Sequence, residues 1–262
     1  MESSPYNKNN FLINSDQLNT IFKNNGLEFI KINNINLYQK SFIHESYRKL
    51  KCYDKMSNKN SNLELQDESY ERLEFIGDAL IESIVANYLY DRYHETYEQD
   101  EGFLTKLKTR IVCGKNLTYL SSCLNFQEFI VISKSIEDKC NGRQNMKDHK
   151  ILCDVFEAFC GALYKDTDDY NIVKRFMIYV IENYLDLSEF IINDINYKDQ
   201  LWRYIKKTYN KYPRIVTEET DDIHKTIIYN GEDKIGYSEE DNKKDSQQQA
   251  SKEGLKFYGV LN

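Results

Sequence analysis

Two pairs of acids stand where chemistry could be done. Glu74 and Asp78 lie four residues apart in the run Glu71-Arg72-Leu73-Glu74-Phe75-Ile76-Gly77-Asp78-Ala79-Leu80. Asp154 and Glu157 lie three apart in Ile151-Leu152-Cys153-Asp154-Val155-Phe156-Glu157-Ala158-Phe159-Cys160-Gly161-Ala162. On a helix, either spacing puts both carboxylates on one face. Like charges so placed destabilise a helix unless something positive sits between them, and both runs are otherwise apolar. Two such helices facing each other would offer oxygen ligands to a hard divalent cation such as Mg²⁺. Two ions held there can activate a water and stabilise a leaving oxygen in phosphodiester hydrolysis. The alternative for either pair alone is a solvated acidic face. Gly77 within a strong helix costs up to ~1 kcal/mol relative to Ala, which close approach of a neighbouring helix backbone would explain.

Elements that could position these acids follow from the periodicity. Leu73, Ile76, Leu80, Ile84, Tyr88 and Leu89 repeat at helical spacing and predict a helix over 70–93. Further helices are expected over about 102–123, 149–164 and 169–185. Asp16 is read as the cap of a first helix, and 37–47 as a second. Residues 1–14 are polar and Asn-rich and read as a loose tail; Arg48–Ser69 reads as a long exposed loop carrying Lys49, Lys51, Lys55 and Lys59. After about residue 188 the pattern changes. A short helix over 197–208 precedes three Ile/Val/Thr/Tyr-rich strands at 214–219, 224–229 and 234–239, with Asn230-Gly231 as a hairpin signal between the last two. A final helix covers 242–258. The expected organisation is a tail (1–14), an all-α domain (15–187), a linker (188–196) and a small α+β domain of order α-β-β-β-α (197–262).

The 262 residues carry 35 Lys+Arg against 42 Asp+Glu, a formal net charge of −7. Residues 197–262 balance at 12 basic and 12 acidic, so the excess lies in the first 196. An acidic chain is a poor general polyanion binder by bulk charge. Contacts to nucleic acid would have to come from local basic patches or metal-bridged carboxylates. The six cysteines include no C-x-x-C pair and suit a reducing compartment. Cys140, His149, Cys153 and Cys160 cluster in sequence, but their spacing fits no common zinc pattern. The N-terminus has no apolar signal-like stretch, and no window approaches the roughly 18–20 apolar residues that span a bilayer. The expectation is a soluble, intracellular, cytoplasmic protein with no membrane partner.

The run E-R-L-E-F-I-G-D-A-L closely resembles the signature of the ribonuclease III family, and D-V-F-E-A-F resembles that family's second acidic motif. F-I-H-E-S-Y at 42–47 and E-G-F-L-T-K-L-K-T-R at 101–110 resemble two further family segments, in the right order. The resemblance covers about residues 15–187. It implies an all-helical catalytic domain that forms a homodimer and cleaves double-stranded RNA with Mg²⁺ (Mn²⁺ substituting). The products would carry 5′-phosphate and 3′-hydroxyl ends, and each site would cut one strand. Carried over, the metal-site and catalytic acids are Glu74, Asp78, Asp154 and Glu157, with Glu157 bridging the metals most directly. Glu71 would lie beside the RNA. Phe75 would plug into the partner subunit, with an ordinary core aromatic as the alternative. Lys106, Lys108 and Arg110 could meet phosphates or form a solvated basic face. His44 is expected to be structural, because a metal-bound hydroxide supplies the nucleophile.

The α-β-β-β-α order resembles a double-stranded RNA-binding domain, with Asn242–Leu255 as its second-helix motif. Lys243 and Lys244 would then face phosphates at a helix N-terminus. Several features depart from that family. Its third basic position is Gln247 here. The loop Thr220-Asp221-Asp222-Ile223-His224 is short and acidic, and Trp202 and Arg203 replace the usual polar readers. These departures predict weak, steeply salt-sensitive RNA binding. The reading is an endoribonuclease of the ribonuclease III type; the alternative is a catalytically silent double-stranded RNA binder. Possession of all four acids favours the enzyme. Precursor processing, small-RNA production and duplex destruction all fit as roles.

Overall fold

A computed structural model describes residues 4–58, 61–94, 100–148, 150–192, 196–220 and 223–261. Lys59, His149, Asp221 and Asp222, singled out above, lie outside these, as do residues 193–195 of the expected linker. The chain forms two compact units, residues 1–187 and 188–262.

Unit one is helical. Its elements are α1 (Ser15–Asn24), α2 (Ile35–Ser41), α3 (Glu71–Leu89), α4 (Glu101–Ile111), α5 (Gly114–Cys123), α6 (Lys134–Lys139), α7 (Ile151–Thr167) and α8 (Tyr170–Tyr184). Helix α7 is the central element, with Leu152, Val155, Phe156, Ala158, Phe159, Cys160, Ala162 and Leu163 all buried. Phe159 is the hub. Its ring lies 4.7–6.0 Å, centroid to centroid, from Phe22, Tyr38, Phe42, Phe126 and Phe176. Such pairs add about 0.5–1.5 kcal/mol each beyond burial, so this ring cluster is a main part of the unit's core. Among the described residues no helix is long and apolar enough to cross a membrane.

Several local expectations are corrected. The first helix is capped by Asn14, not Asp16: Asn14 and Gln17 form a reciprocal capping box. The 102–123 stretch is two helices, because Cys113 turns extended (ψ 147°) before Gly114 restarts the helix; the Asn116 amide caps the first by donating to the Arg110 carbonyl at 2.7 Å. The 37–47 stretch breaks after Ser41, since Phe42 and His44 exchange backbone hydrogen bonds with Val131 instead. Residues 45–47 then form a single 3₁₀ turn.

The described part of the Asn-rich N-terminus is not loose. Asn10 donates to the Ile132 carbonyl (2.8 Å) and accepts from the Ile132 N–H (3.2 Å) and from Arg143 (2.6 Å). Asn7 and Asn9 donate to Glu137, and Pro5 and Ile13 are buried. An asparagine amide both donates and accepts, so it can satisfy a strand-like backbone that has no partner strand. The Arg48–Ser69 loop is also closed at its base: Lys49 N–H donates to Gln66 O (2.8 Å) and Gln66 N–H to Tyr47 O (3.0 Å). Leu65 joins Tyr47, Ile43 and Val131 in a small buried cluster beneath it.

Unit two contains α9 (Leu187–Ile192), a short helix beginning at its boundary where only a linker was expected, then α10 (Tyr197–Tyr209), β1 (Arg214–Thr220), β2 (Ile223–Asn230), β3 (Asp233–Glu240) and α11 (Lys243–Phe257). The sheet is antiparallel in the order β1-β2-β3. Leu201, Ile205, Ile228, Ile235, Ala250 and Leu255 form its core between sheet and helices.

Candidate active site

Helices α3 and α7 touch backbone to backbone. A Cβ on Gly77 would stand 1.7 Å from the Glu157 carbonyl oxygen, and one on Gly161 would stand 2.1 Å from that of Leu73. Each glycine therefore makes room for the other helix. That reciprocal contact carries Glu74 and Asp78 on α3 up against Asp154 and Glu157 on α7.

The electrostatics show that the four acids share one site. Glu157 is pushed up to about 7, first by burial and then by the charge of Asp78, with Glu74 and Asp154 adding to it. Glu74 is likewise raised, by burial and by Asp154. Asp154 is buried (8% exposed), whereas Asp78 is exposed. Among the described residues one cation pairs with them: the Lys150 ammonium lies 3.2 Å from Asp154 Oδ1 and 3.7 Å from Glu74 Oε1, spanning the two helices. The Tyr70 hydroxyl donates to Asp154 Oδ2 (3.4 Å), and the Cys153 thiol, kept protonated by burial, donates to Glu157 Oε1 (3.5 Å). Cys153, Asp154 and Glu157 present ligand atoms all within 4.8 Å of one another. Among the described residues, four carboxylates against one ammonium leave a strong local negative excess. The neighbouring charges help to raise Glu157 and Glu74, and a hard divalent cation would relieve that repulsion. The donor set therefore fits such an ion.

Lys150 and Tyr70 escaped the sequence reading, which named Cys153 only as a member of a cysteine cluster and not beside the acids. Only Lys150 and Cys153, each four residues before an acid on the same helical path, left a spacing signal. His44 sits nearby with its ring against that of Tyr70 (5.8 Å), accepting the Ser46 N–H at Nδ1 (3.1 Å). Burial lowers its pKa, so it is held neutral as a cap. Glu71 is exposed and accepts from the Ser69 hydroxyl (2.7 Å). Phe75 is 79% exposed on α3, so the core-aromatic alternative does not hold within this chain.

The basic residues of α4 do not form one open face. Lys106, Lys108 and Arg110 are half-buried and two residues apart, and Lys108 is spent on Glu82 of α3 at 2.5 Å. In unit two, Lys243 and Lys244 are exposed at the start of α11, whose cap Asn242 accepts the Asp245 N–H (2.9 Å). Trp202 is half-buried against Tyr212 (5.6 Å between rings), and Arg203 pairs with Asp199. Of the cysteine cluster, Cys153 belongs with the acids, and Cys160 is fully buried with its Sγ 3.6 Å from the sulfur of Met177.

Comparison with known proteins agrees with this layout. The sequence profile of the Ribonuclease-III-like family matches residues 34–183, and that of the double-stranded RNA binding motif matches 197–258. The chain is 33% identical, over 98% of its length, to a probable ribonuclease 3 of Acanthamoeba polyphaga mimivirus, and spans 45% of that relative. It is 32% identical to ribonuclease 3 of Staphylococcus aureus, over 85% of this chain and 86% of that one. The crystallised nuclease domain of ribonuclease III from Campylobacter jejuni, a structure concerned with flexibility in its region involved in dimer formation, aligns with a TM-score of 0.50. Identity there is 25%, over 66% of this chain and 99% of that one. With a helical nuclease domain followed by a double-stranded RNA binding motif, this chain belongs to the ribonuclease III family.

Proposed function

We propose that the chain is an endoribonuclease that hydrolyses double-stranded RNA, with Glu74, Asp78, Asp154 and Glu157 holding divalent metal, Mg²⁺ or Mn²⁺. Bound there, the metal would supply an activated water and stabilise the departing oxygen, giving 5′-phosphate and 3′-hydroxyl ends. The chain's own residues do the rest. Glu157 gathers the site, Tyr70 orients Asp154, and Cys153 orients Glu157. Lys150 compensates the acids when no divalent ion is present.

Residues 15–187 form the catalytic part and 197–262 the RNA-binding part, joined by 188–196. Glu71, Lys106, Arg110, Lys243 and Lys244 are assigned to RNA; Lys108 would join them only by exchanging its Glu82 partner for a phosphate. Two copies pair through the exposed Phe75 face of α3, each site cutting one strand. All six cysteines are free thiols, which suits action inside the cell.

The observation that carries this reading is the backbone contact of Gly77 with Gly161's helix, which puts both acid pairs at one place. The test is cleavage of a long RNA duplex by wild type and by Glu157→Gln in Mg²⁺ and in Mn²⁺. Metal-dependent cutting by wild type alone is expected. An intact duplex with wild type in both metals would leave only the silent binder; equal cutting by Glu157→Gln would mean the site is wrongly assigned.

A further inference from the structure

Helix α11 opens with two exposed lysines, Lys243 and Lys244, and its next residue on the same face is Gln247, four and three positions on. Gln247 carries no charge, but it is not idle. The Lys198 ammonium, from the second residue of α10, donates to Gln247 Oε1 at 2.8 Å. A lysine can only donate, so the amide atom facing it must be the oxygen. The other end of the amide agrees, since Gln247 Nε2 donates to Thr217 Oγ1 at 3.2 Å. Thr217 is itself tied to Thr226 (3.0 Å), and Thr226 to the buried Ser246 hydroxyl (2.7 Å).

Lys198 is also held by its backbone. Its N–H donates to Gln248 Oε1 (3.1 Å), and Gln248 Nε2 donates to Asn196 Oδ1 (3.1 Å), the residue capping α10. Adjacent glutamines therefore grip Lys198 at both ends. An amide oxygen orients an ammonium without neutralising it. Among the described residues no carboxylate pairs with Lys198, and the neighbouring Asp199 is taken by Arg203 at 2.5 Å. The positive charge that α11 lacks at position 247 is thus delivered there from another helix.

We propose that Lys198, presented by Gln247, is the third phosphate-binding cation of the RNA-binding face, alongside Lys243 and Lys244. The inference rests on reading residues 197–262 as the RNA-binding part. It explains how a domain of zero formal charge can offer three ammonium groups along one face. The ligand is the sugar–phosphate backbone of duplex RNA, read by charge and not by sequence.

The test uses the full chain carrying Glu157→Gln, so that the duplex is not cut, with RNA binding followed by fluorescence anisotropy across a salt series. Lys198→Met should weaken binding about fivefold to tenfold near 0.15 M salt and lower the salt slope by about one phosphate contact. Adding Gln247→Lys to Lys198→Met should restore the slope, because the charge returns to the same place by a different route. Gln247→Ala alone should weaken binding less, about twofold to threefold, with little change of slope, since the charge remains but is no longer oriented. Lys211→Met serves as the control for loss of one positive charge from the domain. Circular dichroism of each variant checks that it folds, and Lys198→Gln repeats the arm with a polar side chain. Unchanged affinity and slope for Lys198→Met, while Lys243→Met binds weakly, would overturn the inference and leave the RNA-binding reading intact. If Lys243→Met and Lys244→Met also bind as well as the parent, the reading of the whole face falls with it.

Discussion

The Glu157 carboxyl makes a quantitative prediction that needs no RNA. Its pKa rises from 4.5 to about 7, because it is part-buried and faces the charges of Asp78, Glu74 and Asp154. A carboxyl whose folded pKa exceeds its unfolded one binds more protons in the fold between those values. Stability therefore falls as pH rises from about 4.5 to 7, and above 7 the full penalty is present. A shift of that size corresponds to roughly 3 kcal/mol as an upper bound. The carboxyl keeps substantial contact with water, so screening reduces this to about 1–2 kcal/mol. Replacing Glu157 by Gln removes the charge and keeps the shape. In EDTA at pH 8 the variant should melt about 3–6 °C above wild type, by the usual scaling for a unit of this size. At pH 4.5 the difference should vanish, because wild type is then protonated as well. With Mn²⁺ or Mg²⁺ at pH 8 the order should narrow or invert, since wild type gains ligand-linked stability that Glu157→Gln lacks. Differential scanning fluorimetry over pH 4.5–8 reads all of this. A Tm difference that stays flat across that range, or a variant less stable than wild type in EDTA at pH 8, would refute the electrostatic account of the site.

Three other perturbations test the helix crossing, the exposed face of α3 and the N-terminal segment. Gly77→Ala places a methyl group 1.7 Å from the Glu157 carbonyl oxygen, so the helices must separate; a loss of about 3 kcal/mol or more is expected in urea unfolding, and a loss under 1 kcal/mol would contradict the close contact. Phe75→Asp should shift the chain to monomer in analytical ultracentrifugation, yet leave its Tm within a few degrees, because the ring is exposed within one chain; an unchanged dimer would remove Phe75 from the interface. Asn10→Ala removes the bonds to Ile132 and Arg143 and should cost about 1–3 kcal/mol. Limited proteolysis should then release the N-terminal residues quickly, whereas equal protection of both proteins would mean these bonds do not hold the segment.

How far the sequence alone reached varied with the kind of signal. Helical and strand periodicities are local, so α3, α7, α8, the three strands and α11 were legible within a few residues, and so were the two acid pairs. The oddity of Gly77 even predicted a close helix neighbour. Signals that depend on a distant partner were not legible. The Asn-rich N-terminus looked loose because its hydrogen-bond partners, Ile132, Glu137 and Arg143, lie more than a hundred residues away. The break after Ser41 arises from Val131, and the break at Cys113 competes against an otherwise helical run. Lys108 reads as free for phosphate in the sequence, but its partner Glu82 belongs to another helix.

The same division holds at both functional surfaces. Residue type and spacing determined which carboxylates could bind metal and which lysines could start a basic face, because faces of a helix follow from its 3.6-residue turn. Tertiary structure alone decided that the two acid pairs meet, because only the crossing at Gly77 and Gly161 brings their charges within range. It also decided that Lys150 answers them and that Lys198 stands in at Gln247. Electrostatic contacts act through space over a few ångströms, and sequence distance carries almost no information about that.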